Sequence, residues 1–375
     1  MADTTLSPPQ RPDRNWPSLN ALLARRGFQK WAAKFPLTRP FVRQEGEALF
    51  DVVAGFCHSQ VLMALVALEI PARLMQGPQS VAALARLTQV PEARLKVLLQ
   101  AGAALKLLRL RRGGYGLSRR GAALVGVPGL QAMIQHHAVL YRDLADPVAF
   151  FRGESAPELA GFWPYVFGGE VDPQLAATYS DLMAQSQALV ADDTLDAVRL
   201  DHVRHLMDVG GGTGAFLAEV GARYPGLNMT LFDLPGVAPL AEARFAQAGL
   251  ARHTEIKTGS FRADPLPRGA DAVSLVRVLY DHDDATVGAL LRSVFEVLPQ
   301  GGQLIISEPM SGGRSPTRAG DAYFALYTLA MGTGQARSAT RIVELCRAAG
   351  FEQIRAPRAR RAFITSCIIA TKGSS

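Results

Sequence analysis

The run HLMDVGGGTGAFLAEVGARYPGLNMTLFDLP, residues 205–235, decides the fold. HLMDV (205–209) has the composition of a buried strand, and the helical spacing of AFLAEVGAR begins directly after the glycines. MTLFD (229–233) reads as a second strand. Strand, glycine turn, helix and strand form one unit of a parallel sheet. Gly210, Gly211, Gly212 and Gly214 let the backbone adopt positive φ and come close to a ligand. Ala215 and Phe216 follow Gly214, so the loop lacks the GxGxxG spacing that seats a pyrophosphate. Asp208 and Asp233 stand at the two strand ends, where carboxylates repel pyrophosphate and suit a ligand carrying positive charge. Asp233, with Leu234 beside it, is placed to accept hydrogen bonds from both hydroxyls of a ribose. The plainer alternative is a turn aspartate before Pro235.

Working outward, TEIKT (254–258), AVSLV (272–276) and QLIISE (303–308) read as further strands separated by amphipathic helices. AFITSCIIAT (362–371) is expected to close the sheet. The expected class is α/β, a doubly wound Rossmann-like domain with its ligand at the carboxyl ends of the strands. Ser260 and Phe261 follow the third strand. Phe261 is a candidate to pack on a nucleoside base and Ser260 to bond its edge, with core packing as the rival role for Phe261.

A chain of 375 residues exceeds what one core usually covers, so a second domain is expected N-terminal to this one. Residues 47–75 read as a helix with Leu49, Val52, Val53 and Phe56 on one stripe. Ser80 is placed to cap a short helix, and Pro91 suits the start of the next, which runs to about Leu105. Gly113-Gly114 reads as the turn of a hairpin between strands near 107–111 and 115–118. Helix, turn, helix and hairpin is a winged-helix pattern, which serves equally for DNA binding or dimerisation. Residues 130–200 read as helical, broken near Gly153, Pro157 and Gly168-Gly169. Phe150, Phe151, Phe162, Trp163, Tyr165 and Phe167 cluster there, either as core or beside an apolar ligand pocket. The expected domains are an arm (1–43), a winged helix (44–140), a helical linker lining the substrate pocket (141–200) and the sheet domain (201–375).

Hydrophobic residues make up 48% and charged residues 19%, which excludes a disordered chain. The net charge of +7 is uneven: residues 1–43 carry +6 and 80–125 carry +8, leaving −7 for the rest. Residues 1–20 are expected to lack fixed structure. Residues 21–43 interleave six basic residues with Phe28, Trp31, Phe35 and Phe41. That pattern suits either an anionic membrane surface or an arm packed on protein. No uninterrupted apolar run reaches the roughly 18–20 residues of a membrane span, and the N-terminus lacks the apolar stretch of a secretory signal. Cys57, Cys346 and Cys367 have neither metal nor disulfide spacing, so a reducing cytoplasm and no metal are expected.

The winged-helix pattern, the helical linker, DVGGGTG, FDLP (232–235) and AAGF (348–351) together resemble the small-molecule O-methyltransferases of the caffeate and hydroxyindole type, over roughly residues 50–371. The resemblance implies S-adenosylmethionine as cofactor and an N-terminal domain that makes a homodimer and does not bind nucleic acid. It implies Asp208, Gly210, Gly211, Gly212, Gly214, Asp233, Leu234, Ser260, Phe261 and Arg277 as cofactor contacts. That family carries a His general base after its fourth strand, where this chain reads RVLYDHDD (277–284). Tyr280 occupies the base position, His282 lies two residues on, and Glu308 matches an orienting glutamate. The second such glutamate falls near Ala336, which cannot do that job. These departures resemble the carotenoid hydroxyl methyltransferases of purple photosynthetic bacteria, and also a related bacteriochlorophyll methyltransferase. They imply a lipophilic alcohol as substrate, with Tyr280, His282 and Glu308 as candidate catalytic residues. Proton acceptance is open between Tyr280 and His282. The alternative from another class is a ligand-sensing winged-helix regulator that binds DNA through the basic 80–125 segment.

Overall fold

The computed structural model describes residues 16–162 and 186–373. The chain divides into two compact units. One takes in the described residues up to Ile70 together with Gln76–Gly116, and the other holds Pro71–Met75 and Leu117 onward. The boundary lies earlier than residue 140 because helix Arg119–Gly126 packs on helix Leu130–Asp143, within the second unit.

In the first unit, helices Trp16–Leu23 and Arg26–Ala32 precede a 29-residue helix, Arg39–Ala67. Residues 16–20, expected to be irregular, therefore belong to a helix, while 1–15 lie outside the described residues. Helices Val81–Thr88 and Glu92–Ala104 follow, then β1 (Leu108–Arg111) and β2 (Gly114–Leu117). This is the expected helix, helix and wing order. The Ser80 hydroxyl accepts from the Ala83 amide at 3.1 Å, as its position before an apolar run predicts. The wing is pinned by paired backbone bonds between Tyr115 and Gln79. Gly114, at φ +149°, is required there because a Cβ would collide with the Gln79 carbonyl. Leu65, Leu84, Leu95, Leu99 and Leu108 form the interior.

The long helix departs from expectation. Leu49, Val52, Val53 and Phe56 are 63–72% exposed, so its apolar stripe finds no cover among the described residues. By length and composition the helix also meets the requirement for a membrane span, although no single run in the sequence is uninterruptedly apolar. Asp51 and His58 interrupt it.

The second unit holds a seven-stranded sheet in the order β5-β4-β3-β6-β7-β9-β8. The strands are β3 (His205–Val209), β4 (Asn228–Asp233), β5 (Thr254–Thr258), β6 (Ala272–Val276), β7 (Gln303–Glu308), β8 (Phe351–Arg355) and β9 (Ser366–Lys372). The first five run parallel, and β9 is antiparallel to β7 and β8. The C-terminal strand thus does not close the sheet. It inserts between β7 and an edge strand, β8, that the charged residues of FEQIR conceal in the sequence.

Alternate residues feed two cores. Met207, Val273, Leu304 and Ile306 pack with Val287, Leu290, Leu291 and Val294 of helix Asp284–Val297 on one face. Leu206, Leu231 and Ile305 pack with Phe216, Leu217 and Val220 of helix Ala215–Arg223 on the other. The strand order reverses between β3 and β6, which opens the crevice where such sheets bind ligands.

Candidate functional site

Two segments leave the sheet at this switch point: the glycine loop after β3 and residues 277–284 after β6. In the loop, Gly210, Gly212 and Gly214 take φ of +71°, +58° and +73°. Gly212 faces open space where a Cβ would stand, so its backbone is accessible to a ligand. The Arg244 guanidinium braces the loop, donating to the Thr213 carbonyl at 2.9 Å.

Asp233 ties the loop to β4. Its Oδ2 accepts from the Gly212 amide at 2.6 Å and its Oδ1 from the Leu234 amide at 2.7 Å. A carboxylate offers about four lone-pair sites, so two remain for a diol. Burial pushes its pKa upward, and the two amides oppose that shift.

Asp208 was expected to meet the cofactor. Its side chain is fully buried beneath the loop, where Oδ1 accepts from the Ser274 hydroxyl at 2.6 Å and Oδ2 has no hydrogen-bond partner. Burial pushes this carboxyl up to about 7. A Cβ at position 211 would run into that same Oδ2, so the glycine at 211 answers to internal packing. The open glycine backbone at 212 and a ribose-ready Asp233 fit a nucleoside such as that of S-adenosylmethionine.

After β5, the Ser260 hydroxyl accepts from the Arg262 amide at 3.3 Å. The half-buried Phe261 packs on the core and meets the His282 ring edge-on at 5.3 Å. After β6, Arg277 adopts φ +59°, a costly conformation for any residue other than glycine, where the chain leaves the strand for the crevice. Its guanidinium donates to the Ser186 hydroxyl at 2.7 Å and to the Tyr280 hydroxyl at 3.4 Å.

Tyr280 is 3% exposed, and its pKa is pushed up to about 12, chiefly by burial. His282 points to a different partner: its Nδ1 lies 2.9 Å from a guanidinium nitrogen of Arg262, which can only donate. Burial, and then the Arg262 charge, push His282 down to about 4. Glu308 was expected to orient His282. Its Oε2 instead accepts from the Tyr280 amide at 3.1 Å, and Oε1 has no partner. The site residues therefore separate into Arg277, Tyr280 and Glu308 on one side and Phe261, Arg262 and His282 on the other.

Several residues here were not anticipated. Arg337 is 1% exposed and donates to Asp284, to the carbonyls of Leu279 and His282, and to Gln335. It adjoins Ala336, where a second orienting glutamate was missing. His136 and His137 bond the hydroxyls of Tyr327 and Tyr323 at 3.0 and 2.6 Å. Their only signals were adjacent histidines on a helix and tyrosines spaced i, i+4. Of the aromatic cluster expected near the linker, Trp163, Tyr165 and Phe167 lie outside the described residues, while Phe150 joins Tyr327 in a small core. Among the described residues no group of His, Cys, Asp and Glu is arranged to hold a metal.

Glu308 makes the site's stability depend on pH. Burial holds its carboxyl at about 7 against an ordinary value of 4.5, and the Arg337 charge only partly offsets this. The folded chain therefore binds more protons than the unfolded chain between those values. The stability that the protonated acid contributes is complete below 4.5 and lost as pH rises through about 7. Glu308→Gln cannot ionise, so its melting temperature should gain on the parent's between about pH 5 and about pH 8. A constant difference across that range would show that Glu308 does not titrate there.

The O-methyltransferase domain family matches residues 141–352. The chain is 54% identical to demethylspheroidene O-methyltransferase of Cereibacter sphaeroides over 375 residues, covering 99% of each protein. It is 53% identical to the enzyme of the same name from Rhodobacter capsulatus over 342 residues, 91% of this chain and 86% of that one. The crystal structure of human N-acetylserotonin methyltransferase in complex with SAM superposes with a TM-score of 0.75 at 27% identity, covering 88% of this chain and 98% of that one. On these matches the chain belongs to the family of S-adenosylmethionine-dependent O-methyltransferases.

Proposed function

We propose that this enzyme methylates the tertiary hydroxyl of an acyclic carotenoid of the demethylspheroidene or hydroxyneurosporene kind. The observation that carries the reading is the 54% identity, end to end, with a protein named for that reaction. Bound S-adenosylmethionine supplies an electrophilic methyl group on a sulfonium. The glycine loop and Asp233 hold its nucleoside, and the crevice beside Arg277 and Tyr280 receives the acceptor alcohol. A tertiary alcohol is far less acidic than a phenol, so its proton leaves as the C–O bond forms, and placement of the oxygen near the methyl carbon dominates the rate. Tyr280 orients the acceptor, and Glu308 fixes the backbone that presents it.

Two surfaces of the first unit support interactions. The uncovered stripe of Leu49, Val52, Val53 and Phe56 suits a second copy of the chain, which makes the enzyme a homodimer. The arm exposes Trp31, Phe35 and Phe41, with Trp31 stacked on Phe35 at 5.0 Å, among six basic residues. Such a surface suits peripheral contact with an anionic membrane, where a lipid-soluble substrate resides.

Asp233→Ala should weaken cofactor binding by about 1.5–3 kcal/mol, the range for a hydrogen bond to a charged group, as read by calorimetry. Tyr280→Phe should lower turnover on a hydroxylated carotenoid while leaving cofactor affinity near parental. Parental binding in the first variant and parental turnover in the second would remove these roles. Val53→Asp with Phe56→Asp should convert the dimer to monomer in light scattering at micromolar concentration, and an unchanged mass would reassign the stripe. Deleting residues 1–43 should abolish flotation with anionic liposomes while activity on detergent-dispersed pigment survives. Flotation equal to the full chain would make the arm a packing element.

A further inference from the structure

The two residues best placed by sequence to accept the acceptor's proton are both compromised. The Tyr280 oxygen already accepts from the Arg277 guanidinium at 3.4 Å, which occupies a lone pair that would take the proton. The Nδ1 of His282 is taken by Arg262. A different imidazole lies in the same unit.

Helix Leu130–Asp143 carries His136 and His137, and residues 320–330 carry Tyr323 and Tyr327. The two elements are joined by paired bonds, His137 Nε2 to the Tyr323 hydroxyl at 2.6 Å and His136 Nε2 to the Tyr327 hydroxyl at 3.0 Å. The pairs differ in surroundings. Tyr327 is 5% exposed and sits among Val139, Leu140, Phe150 and Met331. Tyr323 is only half-buried and lies on a single π-helical turn, Gly320–Phe324, a distortion frequent at functional sites. The chain that continues from this turn is held against the segment after β6: the Gln335 amide donates to the Tyr280 carbonyl at 2.8 Å and the Thr333 hydroxyl to the Asp281 carbonyl at 2.9 Å, which brings Tyr323 and Tyr327 to the side of the crevice that Tyr280 lines.

We propose that Tyr323 and His137 form the proton-accepting pair for the transferred methyl's acceptor, with Tyr327 and His136 holding the two elements in register. The inference rests on the alcohol-methylating reading above. With His137 protonated on Nδ1, its Nε2 accepts from the Tyr323 hydroxyl, whose oxygen keeps lone pairs for the substrate hydroxyl. As the substrate oxygen bonds to the methyl carbon, the carbon–sulfur bond breaks and its electron pair goes to sulfur. The substrate proton passes to the Tyr323 oxygen, and Tyr323's own proton passes to His137 Nε2. The products are the methyl ether, the neutral thioether of the spent donor and an imidazolium that then loses its proton to solvent.

Both imidazoles are held neutral by burial, His136 at about 4 and His137 below its ordinary value, so His137 is free to accept. A weak base suffices because an alcohol oxygen under methylation becomes a protonated ether, which is strongly acidic. Adjacency also sets a division of labour. The like-charge repulsion between neighbouring imidazoles that helps to depress His136 means that only one of the two protonates readily.

The test is a cycle of Tyr323→Phe, His137→Gln and the double variant in the full-length enzyme. Rates are measured on a hydroxylated carotenoid and normalised to cofactor-binding sites counted by calorimetry. Each single variant should lower kcat by about 10-fold or more, the low end for general-base catalysis or below, with KM within about twofold. The double variant should lose no more than the worse single one, because the two residues act as a unit. Parental kcat in either single variant, losses that multiply, or a loss confined to KM would overturn the proposal. A parent inactive on every carotenoid alcohol but active on a phenol would remove the substrate reading, and the same cycle run on that phenol then decides the relay by itself: non-additive losses in kcat keep it and parental kcat overturns it.

Discussion

The structure turns on a buried guanidinium. Residues 277–284 leave β6 and pass through the interior, with Leu279 and Tyr280 almost wholly enclosed. Their carbonyls and amides cannot reach water, and an unpaired buried polar group costs about 1–3 kcal/mol. Arg337 answers on the carbonyl side, bonding Leu279 at 2.8 Å and His282 at 2.7 Å, while Asp284 at 2.6 Å balances its charge. Glu308 answers on the amide side through Tyr280. A short segment is thus clamped from two directions, by a residue after β7 and one at its end. That clamp fixes the backbone at 279, 280 and 282. Removing one partner of such a buried set is much costlier than never having built it, so the arrangement is specified all or none.

The parallel sheet was legible in the sequence because its buried strands announce themselves as apolar runs, AVSLV and QLIISE matching β6 and β7 residue for residue, while TEIKT, a polar and largely exposed edge strand, was placed at β5 by the strand–helix alternation around it. The edge strand β8 was not, since FEQIR places charge on an exposed rim and has no such run. For the same reason AFITSCIIAT misled: its first four residues are a turn, and the apolar remainder is a central antiparallel strand between β7 and β8. The long N-terminal helix was legible as a helix, but the side that its stripe faces depends on tertiary contacts that spacing does not encode.

The site divides along the same line. Backbone chemistry was readable: glycines that need positive φ at 210, 212 and 214, and a strand-end carboxylate at 233. Side-chain direction was not. Asp208 and Asp233 look alike in sequence, yet one is sealed under the loop against Ser274 and the other spans Gly212 and Leu234. His282 and Tyr280 stand two residues apart on a tight turn, and that offset sends them to Arg262 and Arg277 respectively. Long-range partners such as Arg337 or the His137–Tyr323 pair, 186 residues apart, have no local signature at all.

The replacement of an imidazole by Tyr280 is intelligible in terms of the acceptor. A phenol can be deprotonated before attack by a base of moderate strength, so a histidine beside the methyl donor is useful. An alcohol cannot, and a strong base in that position would gain nothing in the ground state. What the reaction needs is an oxygen held in line and an environment that does not stabilise charge before the methyl moves. A buried phenol with its pKa raised to about 12 stays neutral, and burial also opposes ionisation of the neighbouring carboxyls, pushing Glu308 up to about 7 and Asp281 well above its ordinary value. Arg277 is then the fixed positive charge beside Tyr280 in that enclosure. The positive charge of the donor sulfonium disappears as the methyl leaves, so a site poor in anions does not hold the donor back.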